Sequence, residues 1–307
     1  MENVKLKTME LDSGETLGYL ERDGGEQVLL LIHGNMQSSK HWDVLIDSLD
    51  PSFKVYAVDL RGTGISTYNE SFDSLQELSN DVKLFADKLS LSRFSVMGWS
   101  TGGGVAMQLA ADYPDSVESL ILLSSLSSRG FPLFNVNEAG HSILSERLET
   151  KEEIKADKAR YMPITAAYTR RNKSMLRAVW DTLIYTHNKP SEEKYEEYLD
   201  DMITQRNLLD IYYANNIFNI SKKYNGLTEG TGKIENIKAP VLILWGENDL
   251  VISKNMTEEL QEDFGDKAKF VLLQGSGHSP LIDDLDGLKN EVESFLKEEV
   301  LKEKVDF

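Results

Sequence analysis

From Lys5 to Glu21 apolar and polar residues alternate about an Asp12-Ser13-Gly14-Glu15 turn, which predicts an antiparallel hairpin. Val28 to Ile32 is a continuous apolar run entering His33-Gly34, the pattern of a strand buried on both faces. Strand and helix then take turns. The pattern predicts helix over Trp42–Leu49, strand over Phe53–Val58, helix over Ser74–Leu89, strand over Phe94–Met97, helix over Ser100–Tyr113 and strand over Val117–Leu123. Such alternation builds crossovers around a parallel sheet, so the fold class is α/β.

The rhythm breaks between about Ser127 and Ile237. No buried strand is apparent there, whereas Glu152–Tyr161, Ser174–Tyr185 and Glu192–Met202 have helical character. Strand and helix resume with Val241–Trp245, Lys254–Phe264, Lys269–Leu273 and an amphipathic helix over Leu285–Lys302. The expected division is therefore a core of residues 1–126 and 238–307, interrupted by a helical module over 127–237.

Composition narrows the function classes. The chain has 307 residues, with 33 Lys and Arg against 51 Asp and Glu, a net charge of −18. That charge repels phosphate backbones and anionic lipid surfaces, so nucleic-acid binding is not expected. The longest apolar runs fall far short of the roughly 18 residues of a membrane-spanning helix. The N-terminal residues lack the apolar stretch of a signal peptide, so a cytoplasmic location is expected. With no cysteine, disulfides, thiolate metal sites and cysteine nucleophiles are excluded.

Gly98-Trp99-Ser100-Thr101-Gly102 lies where an apolar strand meets a helix, the setting in which small flanking residues let the chain turn sharply and lift a serine above the sheet. The helix N-terminus also favours developing negative charge there. His278, between the glycines of Gly275-Ser276-Gly277 and Ser279-Pro280, is the candidate base. Asp249, after the strand Val241–Trp245, is the candidate acid that orients it, with Glu247 as the rival. Gly34 allows a close backbone approach, so the N–H groups of Asn35 and Thr101 are candidate oxyanion donors, with the Asn35 side-chain amide as a minor option. His33 is read as a structural loop histidine.

Together HGN at His33, DLRGTGIS at Asp59, GWSTGG at Gly98, ILWGEND at Ile243 and GSGHSP at Gly275 resemble the α/β-hydrolases over about Lys5 to Leu301. Ser100, Asp249 and His278 follow the chain order of that family's triad. The resemblance implies an eight-stranded, mostly parallel sheet with a helical cap inserted after the sixth strand, and serine ester hydrolysis without cofactor or metal. Ser100 stands where dehalogenases and soluble epoxide hydrolases carry aspartate, and HGNM differs from the HGGP of proline iminopeptidases. Chain layout and the GWSTGG motif more narrowly resemble intracellular poly(3-hydroxybutyrate) depolymerases of bacilli, which implies a small-molecule or oligomeric ester as partner.

Other signals are discounted. Gly62-Thr63-Gly64 lacks the third glycine of a dinucleotide fingerprint, and Gly230-Thr231-Gly232-Lys233 lacks both the first glycine and the hydroxyl residue of a phosphate loop. Asp283, Asp284 and Asp286 are read as the acidic opening of a helix, not as a metal site. Eight of the twelve tyrosines fall in the inserted module, where most are expected to form its core and some to line a pocket.

Overall fold

The computed structural model describes residues 3–305, so the outermost residues of the core bounds given above lie outside the described residues. Strands β1 (Val4–Glu10) and β2 (Thr16–Arg22) form the expected hairpin, its tip turning on Gly14. β3 (Gln27–Ile32) leads through a 3-10 turn (Ser39–Trp42) into helix α1 (Asp43–Ser48) and β4 (Phe53–Val58). Helix α2 (Leu75–Lys88) starts in a Ser74/Glu77 capping box and is followed by β5 (Phe94–Trp99), α3 (Thr101–Asp112) and β6 (Val117–Leu123). The first helix expected at Trp42–Leu49 thus begins one turn earlier, as 3-10, because Ser38 accepts from the Lys40 N–H and starts the turn there.

The segment after β6 holds the hairpin β7 (Phe134–Val136) and β8 (Ser142–Arg147), then helices α4 (Lys151–Lys155), α5 (Tyr161–Thr169), α6 (Lys173–Leu183), α7 (Glu192–Met202) and α8 (Leu208–Ile217). The chain returns through β9 (Val241–Gly246), α9 (Lys254–Phe264), β10 (Ala268–Leu273), a short α10 (Pro280–Asp283) and α11 (Leu285–Val305). The single helix expected over Glu152–Tyr161 is two: the chain turns at Asp157, whose carboxylate accepts from the Ala159 N–H, and α5 starts afresh.

Eight strands form one sheet in the order β1-β2-β4-β3-β5-β6-β9-β10. The pairs β1/β2 and β2/β4 are antiparallel and all others parallel. The α/β-hydrolase architecture expected of the sequence is the one found. Side-chain alternation explains why β3 reads as apolar throughout. Leu30 and Ile32 pack on the face covered by α2, α3 and α9, while Leu29 and Leu31 pack on the face covered by α1 and α11.

The segment between β6 and β9 has a core of its own. Leu176, Trp180, Tyr185, Tyr195 and Tyr198 are buried together, and Met36 from the loop after β3 joins them. Most of the tyrosines thus serve packing, as expected of aromatics at helical spacing. The parallel strands β3, β5, β9 and β10 share a direction, so the loops leaving their C-terminal ends gather at one edge of the sheet, beneath this segment.

Candidate active site

Ser100 occupies the tight turn from β5 into α3. Its backbone is left-handed, with φ 56° and ψ −120°, a conformation that costs a non-glycine residue energy and is sustained only by its surroundings. A Cβ on Gly98 would fall 2.2 Å from the carbonyl oxygen of Gly102, and one on Gly102 would fall 2.1 Å from that of Ile32. Only glycine fits at either position. The Ser100 N–H donates to the Leu123 carbonyl at 3.0 Å, which ties the turn to β6.

His278 lies after β10 and is almost fully buried. Its Nδ1 is 2.9 and 3.1 Å from the two carboxylate oxygens of Asp249, whose side chain has no exposed surface. With Asp249 as carboxylate, Nδ1 donates and Nε2 is left with its lone pair. Asp249 is fixed in turn, since Oδ1 accepts from the N–H groups of Val251 and Ile252 at 2.8 and 2.9 Å. The rival Glu247 accepts instead from the exposed Gly275 N–H at 3.2 Å. The Trp99 indole donates to the His278 carbonyl at 2.9 Å, and Asp283 accepts from the Gly277 N–H at 2.8 Å. The histidine loop is therefore braced from β5 and from α10, and Asp283 has a hydrogen-bonding task.

Asn35, Ser100, Thr101 and His278 all line one cavity of about 320 Å³. Its remaining wall is mainly apolar and comes largely from the segment between β6 and β9, with Phe131, Ile164, Trp180 and Leu183 among the contributors. Among the described residues, the N–H groups of Asn35 and Thr101 donate to no protein acceptor. Asn35's side chain is engaged, since its Oδ1 accepts from Gln205 Nε2 at 2.8 Å.

Several supporting residues were not picked out by sequence reasoning. Gln37 accepts from the Gly34 N–H at 2.7 Å. Gln205 reaches down from beyond α7, and its Oε1 accepts from the Met36 N–H and the Tyr168 hydroxyl at 3.1 and 2.8 Å. No pattern in the polar stretch Thr204-Gln205-Arg206 marks this role. His33 is structural, as expected: its Nε2 accepts from the Leu60 N–H at 3.0 Å and its Nδ1 donates to the Gly34 carbonyl at 2.7 Å. Burial holds its imidazole down to about 4. Among the described residues, no group of three or more His, Cys, Asp or Glu side chains is arranged to hold a metal ion.

A family model described as alpha/beta hydrolase fold matches residues 27–285. The chain belongs to this family. Among α/β-hydrolases, a pimeloyl-[acyl-carrier protein] methyl ester esterase of Nitrosomonas europaea is 37% identical over 107 residues, covering 35% of this chain and 40% of that protein. A 2-hydroxy-6-oxononadienedioate/2-hydroxy-6-oxononatrienedioate hydrolase of Pseudomonas putida is 24% identical over 253 residues, 80% of this chain and 79% of that one. In structure, an esterase (EaEST) from Exiguobacterium antarcticum superposes with a TM-score of 0.72 at 17% identity, covering 95% of this chain and 99% of that chain. These relatives are named as esterases and as a dienedioate hydrolase, and fold alone leaves the bond open. No helix among the described residues is long and apolar enough to cross a membrane.

Proposed function

We propose that the chain is a serine carboxylic ester hydrolase that works through an acyl-enzyme, with Ser100 as nucleophile, His278 as base and then acid, and Asp249 as orienting carboxylate. The observation that carries this reading is the buried Asp249–His278 pair opening onto the same cavity as a serine held at φ 56°. His278 Nε2 takes the Ser100 proton as Oγ attacks the ester carbonyl. The resulting oxyanion is held by the N–H groups of Asn35 and Thr101. Collapse breaks the carbonyl–alkoxy bond, and the alcohol leaves with the proton from His278. Water then gives its proton to His278 and attacks the acyl carbonyl, and the acid departs as Ser100 regains its proton.

Residues 127–237 form the cap over this site in the same reading, excluding bulk water and shaping the acyl pocket. The apolar wall favours aliphatic esters, with 3-hydroxybutyrate oligomers or polymer as the first class to examine, in a cytoplasmic setting. A thioester, a lactone, a carbon–carbon bond or perhydrolysis is served by the same groups, and a 2-hydroxy-6-oxo-dienedioate, after the Pseudomonas relative's name, is a comparison to include.

The test is hydrolysis of p-nitrophenyl esters of increasing acyl length beside soluble 3-hydroxybutyrate oligomers and amorphous polymer. Ser100→Ala is expected to lower kcat by at least about 10³-fold with folding intact. Turnover retained in that variant removes the assignment. A single slow turnover in the wild type, followed by rearrangement of the cap, identifies a small-molecule sensor instead.

A further inference from the structure

The cavity wall is not apolar throughout. Arg160, between α4 and α5, lines it, as does Tyr212 of α8. The Arg160 Nε donates to Asp157 at 2.7 Å and Nη2 to the carbonyl of Phe134, which leaves Nη1 with no hydrogen bond among the described residues. Tyr212 packs edge-on against Tyr161, with ring centroids 6.5 Å apart, and its hydroxyl likewise has no hydrogen bond among the described residues. Burial pushes this phenol up to about 12, although the nearby Arg160 pulls the other way, so it stays a donor at any assay pH. A guanidinium and a phenol, each with a donor that no described residue accepts, therefore line the same pocket, whose other polar lining is Asn35, Gln37, Ser100, Thr101, Asn215 and His278.

Resting on the hydrolase reading above, we propose that Arg160 and Tyr212 form an acceptor subsite for a second, uncharged carbonyl oxygen of the substrate. The enzyme then selects esters of oxo-acids or acyloxy-acids, including the next ester unit of an oligoester, over plain alkyl esters. The choice of an uncharged acceptor follows from Asp157. Its carboxylate already neutralises the guanidinium, so a substrate carboxylate would leave one unbalanced negative charge against an apolar wall, whereas a carbonyl takes the same hydrogen bonds and leaves none.

The experiment compares kcat/KM for p-nitrophenyl esters of one straight-chain acid with those of its keto analogues, the carbonyl placed at successive carbons, and with the ω-carboxylate. At one or two keto positions the wild type is expected to exceed the alkyl parent by about 10-fold, mainly through KM, while the ω-carboxylate does not. Tyr212→Phe keeps the ring packing and removes only the hydroxyl, and Arg160→Gln keeps amide donors without charge. Each is expected to shrink the ratio of keto to alkyl ester several-fold, and thermal midpoints establish that both variants fold. A wild type with equal rates across the series, a ratio that survives both substitutions, or a preference for the ω-carboxylate overturns the subsite while leaving the hydrolase reading standing. A wild type that turns over no ester removes both.

Discussion

His33 shows how a buried residue that does not line the cavity braces the candidate site. Its neutral ring joins the Leu60 N–H to the Gly34 carbonyl, and this holds the loop that presents Asn35. Since burial lowers its folded pKa to about 4 from an ordinary 6.5, the unfolded chain binds the extra proton between those values and the folded chain does not. Stability is therefore full above pH 6.5 and falls as pH drops from 6.5 towards 4, by about 3 kcal/mol in all from this group. Urea unfolding at pH 7.5 and at pH 4.5 is expected to show this loss in the wild type and a smaller one in His33→Asn. The convergence of Ser100, His278 and Asp249 was legible because each follows an apolar strand in a glycine-bearing turn, a signal carried within a few residues. Gln205 and Gln37 were not legible, since their value lies in contacts with Met36 and Gly34 that no local pattern encodes.

Among the elements, α7 is tied by several polar contacts to the loop and turn after β3, as α8 is tied to the core through Asn215 and Thr101 at 2.8 Å. Asp201 accepts from Ser38 Oγ at 2.6 Å and lies 3.1 Å from His41. Buried Asp43 accepts from the Tyr198 hydroxyl at 2.6 Å and from Lys194 at 2.7 Å, and Lys40 pairs with Glu197 at 2.7 Å. Removing the hydroxyl with Tyr198→Phe leaves a buried carboxylate short of a donor, which is expected to cost about 2 kcal/mol in unfolding free energy. Amide exchange over residues 192–202 is expected to quicken in the same variant. Unchanged exchange there would mean that the other contacts alone hold the helix. Legibility tracks surface pattern at this scale. The bounds of α7 follow from a Ser191 cap and one apolar face, so Glu192–Met202 is found as expected. Helix α8 (Leu208–Ile217) spreads the polar residues Asp210, Asn215 and Asn216 around its axis among apolar ones, so it carries no period to detect. The β7–β8 hairpin is mostly exposed, so no buried face marks it in the sequence.

At the scale of the molecule, the sheet order brings Ser100, Asp249 and His278 to one edge although they come from loops after β5, β9 and β10. The net charge of −18 acts over the same distances, and it sets what reaches that edge. An anionic ester meets repulsion that a neutral one does not feel. The repulsion extends about 30 Å at 10 mM salt and is screened within about 8 Å at 150 mM. Acting the other way is Arg160, among the described residues the one Lys or Arg in the cavity wall, but one already paired with Asp157. If the long-range field dominates, kcat/KM for a carboxylate-bearing p-nitrophenyl ester rises several-fold between 10 and 150 mM NaCl, on the order expected for weakly steered encounter. The neutral keto ester of equal length stays flat over that range. A carboxylate ester whose kcat/KM falls as salt is added would show that local attraction by Arg160 outweighs the field, and would turn the preference of the cavity from neutral acceptors to anions.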